Sequence, residues 1–584
     1  MTNHDGGWGM LCSQQDEDQA RADAVSNPAG YHASIAAREL HWFDASSEQW
    51  LSRTDSGGWL GWHASSAAEA ELAADWAPWS SPLDDTAAPF YRWFVDGQTN
   101  ACFNLLDRHV LSGRGATQAI VFEGDRWDPS KNEGRGGPVF EQRLTYRELL
   151  IEVALRTRAL QRLDLHCGDR IALNLPNVLE QIFYILAAQR LGVIYTPVFG
   201  GFSAKTLSDR IHDAGAKVVI TADGGYRNAE VVPYKSTYTD PALDNYVPRP
   251  AALKALSETL RARLPADVAQ RLQAQVAEAV SGEITLERAD VMRELGLALE
   301  RERGTAPEII AELRTTVASQ LASVGHAVSN VIVVRYTGND IVEHGRDNWS
   351  HDLVAQVESE LLADAGVADR AALDALDDNA FWRAVGAKAP AVPVEANWPL
   401  FIIYTSGSTG KPKGVVHTHG GWLSGITHTR RTVFNANQDD CLYVSGDPGW
   451  ITGQSYQIAA PLAFGMSTVV AEGSPLFPHA GRFASIIERN NVTLFKAGST
   501  FLKAVMTDPA STQEMSRYDM SSLKAGTFCA EPVSPAVQQF AMDNICSHYI
   551  NSYWATEHGG IVFSCPWGDF KPLEADAKTW PLPW

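Results

Sequence analysis

The sequence predicts an α/β fold built around parallel sheet, and three observations carry that prediction. Strand-like apolar runs alternate with helical patterns between Asp169 and Thr221, the order expected when helices cross over between parallel strands. The strand pattern returns at Val331-Ile-Val-Val-Arg335 and again at Phe401-Ile-Ile-Tyr404. The chain has 584 residues, 45% of them hydrophobic and 20% charged. That is enough apolar material for three or more packed units at roughly 100–200 residues each, and it excludes wholesale disorder.

In chain order, residues 1–30 are polar and acidic and read as a loose tail. The region 31–245 follows. Tyr31 to Leu60 reads as short helices rich in aromatics, and Ala119–Phe122 as a strand. Leu144-Thr-Tyr-Arg-Glu-Leu149 opens an amphipathic helix, with Thr145 and Glu148 at capping-box spacing. A βαβ signature comes next. Asp169–Pro176 is a strand ended by proline, Leu179–Leu191 a helix closed by Gly192, and Val193–Val198 a second strand. Lys217-Val-Val-Ile-Thr221 repeats the pattern.

The region 246–326 changes character. It is rich in Ala, Leu, Glu and Arg and has almost no aromatics. Leu253, Leu256, Leu260 and Leu264 form one stripe at helical spacing, and Leu272, Val276 and Val280 a second. Pro265 and Gly304-Thr-Ala-Pro307 break the helices. This is a helical insertion in the α/β pattern. One of its apolar faces is expected to dock onto another domain or a second subunit, with a self-contained bundle as the alternative. The α/β pattern resumes over 327–584, after a second polar helical stretch from Leu353 to Ala387.

Charge and cysteine usage exclude several functions. Against 48 Lys+Arg stand 69 Asp+Glu, a net charge of −21, and no basic run offers the phosphate contacts of a nucleic-acid binder. Small anions remain possible ligands, because backbone amides can hold them locally. Seven cysteines lie far apart with no CxxC pair, which reads as buried thiols in a reducing cytoplasm. The N-terminus has no basic and apolar segments of a signal peptide. No apolar stretch of about 18 residues suggests a membrane span.

The strongest signal is Phe401-Ile-Ile-Tyr-Thr-Ser-Gly-Ser-Thr-Gly-Lys-Pro-Lys-Gly-Val-Val416. An apolar strand runs into a loop with four hydroxyls (Thr405, Ser406, Ser408, Thr409), glycines at 407, 410 and 414, and Lys411 and Lys413. Glycines let backbone N–H groups approach a phosphate, and hydroxyls and ammonium groups add donors and charge. The loop suits a polyphosphate. It is not a Walker A loop, because Thr405 and Pro412 stand where that pattern needs glycine and Ser/Thr. A Gly/Ser linker would not lie between an apolar strand and Gly-Val-Val.

YTSGSTGKPKG resembles the phosphate loop of the AMP-forming acyl-CoA synthetases, the adenylate-forming superfamily. Trp93-Phe-Val-Asp-Gly-Gln, Asn104-Leu-Leu-Asp-Arg-His109, Val198-Phe-Gly-Gly-Phe-Ser-Ala204, Ile220-Thr-Ala-Asp-Gly-Gly-Tyr-Arg227, Asp447-Pro-Gly-Trp-Ile-Thr-Gly453 and Tyr553-Trp-Ala-Thr-Glu557 resemble its acetyl-CoA synthetase branch. The insertion, together with the way the C-terminus runs on, resembles the N-terminal ligase part of a multifunctional propionyl-CoA synthase. The resemblance implies the large N-terminal domain of the adenylate-forming fold, with stacked α/β subdomains and a small β-barrel part.

It also implies a reaction. A short-chain carboxylate attacks the α-phosphorus of ATP, and CoA then displaces AMP from the acyl-adenylate. ATP, Mg2+ and coenzyme A are the implied cofactors, and fused or docked downstream enzyme domains the implied partners, with an oligomer possible. Lys413, Thr556 and Glu557 match catalytic positions, Glu557 being the magnesium ligand and Thr556 the threonine on the α-phosphate. Thr405, Ser406, Gly407, Ser408, Thr409, Gly410 and Lys411 match the phosphate loop. Ala530, Glu531 and Pro532 match a Gly-Glu-Pro beside the adenine, with alanine in place of glycine. Asn551, Ser552, Tyr553 and Trp554 match the stretch along the nucleobase.

Ile451, Thr452, Cys529 and Trp554 match the walls of the acyl pocket, closed by Trp554 as in acetate-type enzymes. One methylene there is worth roughly 1–3 kcal/mol, so a two- or three-carbon acid is implied: acetate, propionate or 3-hydroxypropionate. Gly201 and Arg227 match positions near CoA. Glu230 and Leu476 depart from the family there, and a carboxylate near a phosphate would repel it.

The family continues into a ribose-gripping aspartate, a hinge and a small C-terminal lid domain with the adenylation lysine. No residue matches that lysine, since Lys571 and Lys578 lie too near the phosphate-side motif. The lid domain is therefore expected to be absent from this chain. A non-catalytic nucleotide-binding or docking scaffold within a multienzyme is the rival function, disfavoured by the intact phosphate loop, Thr556 and Glu557.

Overall fold

The computed structural model describes residues 13–54, 58–63, 66–72, 76–302, 306–405 and 412–564. Two sheets organise the body. The first has seven strands in the spatial order Asp347–Trp349, Asn330–Val334, Val218–Ala222, Arg170–Asn174, Ile194–Pro197, Pro399–Thr405 and Lys413–Thr418. Its strands are parallel except for the final hairpin, where Thr405 pairs with Lys413. The second has eight strands in the order Glu141–Thr145, Gln118–Glu123, Ser467–Ala471, Cys441–Val444, Leu494–Gly498, Ala525–Cys529, Tyr549–Tyr553 and Phe563–Ser564. It is parallel in its interior and antiparallel at both edges.

The βαβ reading corresponds to observed elements. Val218–Ala222 is buried along its length, as a parallel strand covered on both faces should be. The helix Leu179–Leu191 ends at Gly192, whose φ of 68° places it in the left-handed region that favours glycine. The helix Tyr146–Arg162 starts in the expected capping box between Thr145 and Glu148. Arg190, fully buried, holds Asp107 with two hydrogen bonds of 2.5 and 2.8 Å. Trp382 donates to the same carboxylate at 2.7 Å. This pair joins three distant chain segments; such buried ions persist only when paired and fully hydrogen-bonded.

Several expectations need correction. Residues 13–30 are not a loose tail: helices Gln14–Ser26 and Pro28–Glu39 occupy them. Ser13 and Asn27 cap the two helices with their side chains, and Pro28 fills a first-turn position. Within Tyr31–Leu60 the chain is helical only to Glu39 and continues in strands and turns. Trp42–Asp44, Gln49–Arg53 and Trp59–His63 pair antiparallel, with Trp42, Trp50 and Trp59 buried, because aromatics fit a pleated half-buried surface. These strands belong to a six-stranded sheet with open ends among the described residues. Of the described cysteines, Cys102, Cys441, Cys529 and Cys546 are buried thiols but Cys167 is exposed.

The insertion forms four helices, Arg249–Arg263, Ala266–Ala279, Arg288–Arg301 and Pro307–Ser323. Its two stripes do not await a partner domain. Leu256, Leu260, Leu272, Val276 and Val280 bury one another, together with Val291, Leu295, Leu313 and Val317, in a core of their own. A small hairpin, Tyr246–Pro248 with Thr285–Glu287, roots the bundle. Thr285 donates to buried Asp209 from its N–H at 2.9 Å and its hydroxyl at 2.5 Å. No helix among the described residues is long and apolar enough to cross a membrane.

Candidate active site

The site residues gather where strands of both sheets end, the usual place for a ligand in an open α/β sheet. Thr405 and Lys413 face each other across the mouth of the terminal hairpin of the first sheet, and Lys413 is exposed. Ser406, Gly407, Ser408, Thr409, Gly410 and Lys411 lie outside the described residues. Thr556 and Glu557 occupy the turn after strand Tyr549–Tyr553 of the second sheet.

One histidine brings these two elements together. His417, on the return strand of the hairpin, donates from Nε2 to the carbonyl oxygen of Thr556 at 2.9 Å. Burial pushes its pKa down to about 4, so the ring is neutral near pH 7 and its tautomer is set by that bond. The same turn is held further along. Gly559, at φ 71°, accepts from Ser455 Oγ at 2.6 Å and Trp422 Nε1 at 3.2 Å. A Cβ there would lie 2.7 Å from the His417 ring, so the close approach requires glycine at 559. Ile561 N–H donates to the Tyr456 hydroxyl at 2.8 Å. Glu557 is exposed and makes no hydrogen bond or ion pair among the described residues. An exposed carboxylate is the donor chemistry that a hard divalent cation takes.

The expected acyl walls differ in burial. Ile451 and Cys529 are buried and Thr452 half-buried. Trp554 packs edge-on against Tyr456 with ring centroids 5.1 Å apart. Beneath them lies a residue the sequence reading missed, Lys496, on strand Leu494–Gly498. It is fully buried. Its Nζ donates to Ser552 Oγ at 2.7 Å and stands 5.1 and 5.5 Å from the ring centroids of Tyr456 and Trp554. Burial lowers its pKa. A signal was available: Lys496 interrupts the otherwise apolar run Leu494-Phe-Lys-Ala497. His417 and Ser455 offered none, since their roles depend on contacts across more than 100 residues.

On the expected adenine side, Ala530 has a φ of 86°, a region that disfavours any residue with a Cβ. Alanine therefore stands in a conformation suited to the glycine it replaces. Glu531 and Pro532 are exposed. Glu531 N–H donates to Ser499 Oγ at 3.2 Å, and its carboxylate pairs with Lys503 at 2.8 Å. Asn551 is half-buried and accepts from Ser564 through its carbonyl at 2.8 Å, while the Tyr553 ring is exposed beside Phe563.

The other expected ligand side is less gathered. Gly201 is exposed in the loop after strand Ile194–Pro197. Its neighbours Phe199 and Phe202 pack on Trp450 at 5.6 and 5.4 Å, and Trp450 precedes Ile451 of the acyl walls. Arg227 is exposed on a separate two-stranded hairpin, directly paired with Glu230.

Comparison with known proteins identifies the family. The sequence model described as AMP-binding enzyme matches residues 128–303 and 314–583. That described as acetyl-coenzyme A synthetase N-terminus matches residues 66–105. An acetyl-coenzyme A synthetase of Cupriavidus metallidurans is 31% identical over 512 residues, covering 87% of this chain and 60% of that protein. One of Herminiimonas arsenicoxydans is 31% identical over 571 residues, covering 96% and 63%. One of Rhodopirellula baltica is 28% identical over 578 residues, covering 98% and 64%. The chain thus spans between 60% and 64% of the length of these relatives. The expectation of an absent C-terminal lid domain is corrected, because the family match runs to residue 583. That expectation rested on finding no match for the ribose-gripping aspartate, the hinge or the adenylation lysine.

Proposed function

Because the chain belongs to the AMP-binding enzyme family, we propose that it activates a short-chain carboxylic acid with ATP. The carboxylate oxygen attacks the α-phosphorus and pyrophosphate leaves; the CoA thiol then attacks the acyl carbon, giving acyl-CoA and AMP. One observation carries the proposal. The hydroxyl- and lysine-bearing hairpin and the Thr556–Glu557 turn, from different sheets, are pinned to each other by the 2.9 Å bond from His417. Phosphoryl chemistry needs such pre-positioned donors and charge, because positioning and electrostatics lower its barrier.

In this reading Thr405, Lys413 and residues 406–411 bind the triphosphate, and Thr556 contacts the α-phosphate. Glu557 would hold Mg2+, which when bound supplies positive charge to the phosphates. Ala530, Glu531, Pro532 and residues 551–554 border the adenine. Ile451, Thr452, Cys529 and Trp554 would line the site of a small acid: acetate, propionate or 3-hydroxypropionate. Gly201 and Arg227 would face CoA, with Glu230 opposite Arg227 in the hairpin register. The finer part of the proposal is a propionyl-CoA synthase-like setting, with fused or docked downstream domains, an oligomeric assembly and a cytoplasmic location. Its support is the insertion and the scattered free thiols.

The test is acid-dependent ATP–pyrophosphate exchange by the purified protein with acetate, propionate, 3-hydroxypropionate and hexanoate. Exchange driven by the two- and three-carbon acids and not by hexanoate is expected. ATP binding without exchange for any acid would overturn the proposal in favour of a nucleotide-binding scaffold.

A further inference from the structure

No residue of the candidate active site lines a cavity of about 370 Å³ elsewhere in the body. Its size is at the low end of the roughly 300–1,000 Å³ of small-molecule sites. Both sheets contribute to its lining. Tyr226 and Tyr336 follow strands Val218–Ala222 and Asn330–Val334 of the first, and Glu472 follows strand Ser467–Ala471 of the second. Helices Tyr146–Arg162 and Leu179–Leu191 add Glu152, Arg156, Glu180 and Phe183. Part of the polar lining is paired. Glu472 accepts from the Tyr336 hydroxyl at 2.7 Å and from the N–H groups of Tyr226 and Asp125 at 2.8 and 3.1 Å. Glu152 is held by Arg156 and Arg370. Three charged groups keep capacity to spare. Glu180 forms no ion pair among the described residues, and its carboxylate accepts only from its own backbone N–H; burial raises its pKa, and the nearby Arg156 charge offsets part of that rise. Arg156 is 8% exposed, has Glu152 as its one ion-pair partner among the described residues, and keeps an Nε with no partner. Arg126, exposed at the mouth, stands 4.4 Å over the Tyr226 ring and forms no ion pair among the described residues.

We propose that this cavity binds a guanine nucleotide, with the base edge against Glu180 and Arg156 and the phosphate at Arg126. The site goes beyond the proposed function and uses no step of it. The spare groups select the base. An ammonium would satisfy Glu180 but face Arg156 with a like charge, and a carboxylate would face Glu180 in the same way. A neutral edge that sets an acceptor beside donors suits both. Guanine has the O6 acceptor that arginine reads, and beside it the N1–H and 2-amino donors that match the two oxygens of one carboxylate. Adenine has only its 6-amino group to donate on that edge and would leave one of those oxygens without a ligand donor. The rings of Phe140, Phe183, Tyr226 and Tyr336 in the lining offer faces and edges to a flat base. Arg126, with no carboxylate to hold it, presents the planar fork that takes a phosphate.

The experiment is calorimetric titration of the purified full chain with GMP, in excess AMP so that any adenine-nucleotide site is filled, and then with IMP, which lacks the 2-amino group. GMP should bind despite the AMP. IMP should bind about tenfold or more weaker, the effect of losing one hydrogen bond to a charged acceptor. Glu180→Gln should weaken GMP by about tenfold or more for the same reason. Arg126→Ala should weaken GMP by about threefold or more, the scale of an exposed ion pair, and leave guanosine unchanged. GMP that does not bind, GMP displaced by AMP, or IMP as tight as GMP overturns the inference, as does an unmoved GMP affinity in Glu180→Gln. If Glu180→Gln does not fold, the comparison of GMP with IMP on the unmodified protein and the Arg126→Ala titration decide in its place; an unmoved GMP affinity in Arg126→Ala overturns the inference. No turnover is needed, so failure of the proposed function would leave this result standing.

Discussion

Lys413 and Glu557 are both exposed, one on each of the elements that His417 ties together. Exposed substitutions change stability little, within about 0.5 kcal/mol, so loss of activity in these variants reads as chemistry. Lys413→Ala and Glu557→Gln should each lower pyrophosphate exchange by about 100-fold or more, the scale of removing one charge-stabilising group, with melting temperature unchanged. Exchange within a few-fold of the unmodified protein would contradict their roles. Ala530 makes a different prediction. Its φ of 86° costs roughly 1–2 kcal/mol relative to glycine. Ala530→Gly should raise the urea midpoint by the equivalent of about 1 kcal/mol after the greater chain entropy of glycine is counted. An unchanged or lower midpoint would show that the surroundings relieve the strain. At this scale the sequence was legible where residues came in motifs: Thr405 and Lys413 face each other in the terminal hairpin, and Thr556 and Glu557 lie in the turn after strand Tyr549–Tyr553. Lys496 was overlooked although it interrupts an apolar run, because a lone lysine in a strand belongs to no motif.

The elements that were legible are those whose periodicity is local. Leu179–Leu191 begins and ends at the residues the pattern marks, with Gly192 as its stop. The N-terminal helices and the tryptophan-rich strands were misread. Ser13 and Asn27 act as caps only once the following residues turn, and the strands of 42–63 bury their rings against distant partners such as Phe103, stacked on Trp50 at 4.0 Å. The join between hairpin and turn is equally non-local, and it predicts a pH response. The pKa of His417 is about 4 in the fold against an ordinary value of 6.5. The neutral ring is favoured in the folded state, so its contribution is fully present above about pH 6.5 and is lost as pH falls toward 4. The loss is on the order of 3 kcal/mol. His417→Gln keeps an N–H for the Thr556 carbonyl but does not titrate. Urea midpoints followed from pH 7 to 4 should fall more steeply for the unmodified protein than for this variant. Other buried histidines, such as His419 and His428, titrate in both and cancel. Parallel curves would remove His417 from the acid response.

At the scale of the whole molecule, the α/β body and the helical insertion are separate hydrophobic units. The insertion buries its apolar residues in a cluster that shares no member with the cores around the two sheets. Composition alone marked its limits, but whether its stripes faced each other or a partner was not decidable from one-dimensional spacing, because four helices can pair in several ways. The chain enters and leaves it at neighbouring points. Arg288 donates its backbone N–H to the Asn245 carbonyl at 2.9 Å and its guanidinium to the Val324 carbonyl at 2.7 Å, so a single residue bridges the two ends. The strands that flank the insertion, Val218–Ala222 and Asn330–Val334, are direct neighbours in the sheet. Closing the gap with a Gly/Ser linker of about six residues, which reaches up to roughly 20 Å, therefore demands no rearrangement of the body. Asp209 would lose Thr285 but keep Lys205 at 2.6 Å, which limits the damage to about 1–3 kcal/mol for lost hydrogen bonds to a buried carboxylate. Replacing residues 246–324 in this way should leave a folded protein whose acid-dependent pyrophosphate exchange stays within about threefold, since no residue of the candidate site lies in the excised segment. A variant that folds but loses exchange would mean that the bundle supports the site through Asp209 and the helix Ala204–Ala214 that follows the Phe199–Phe202 loop. A variant that does not fold would show that the body depends on the insertion despite its separate core.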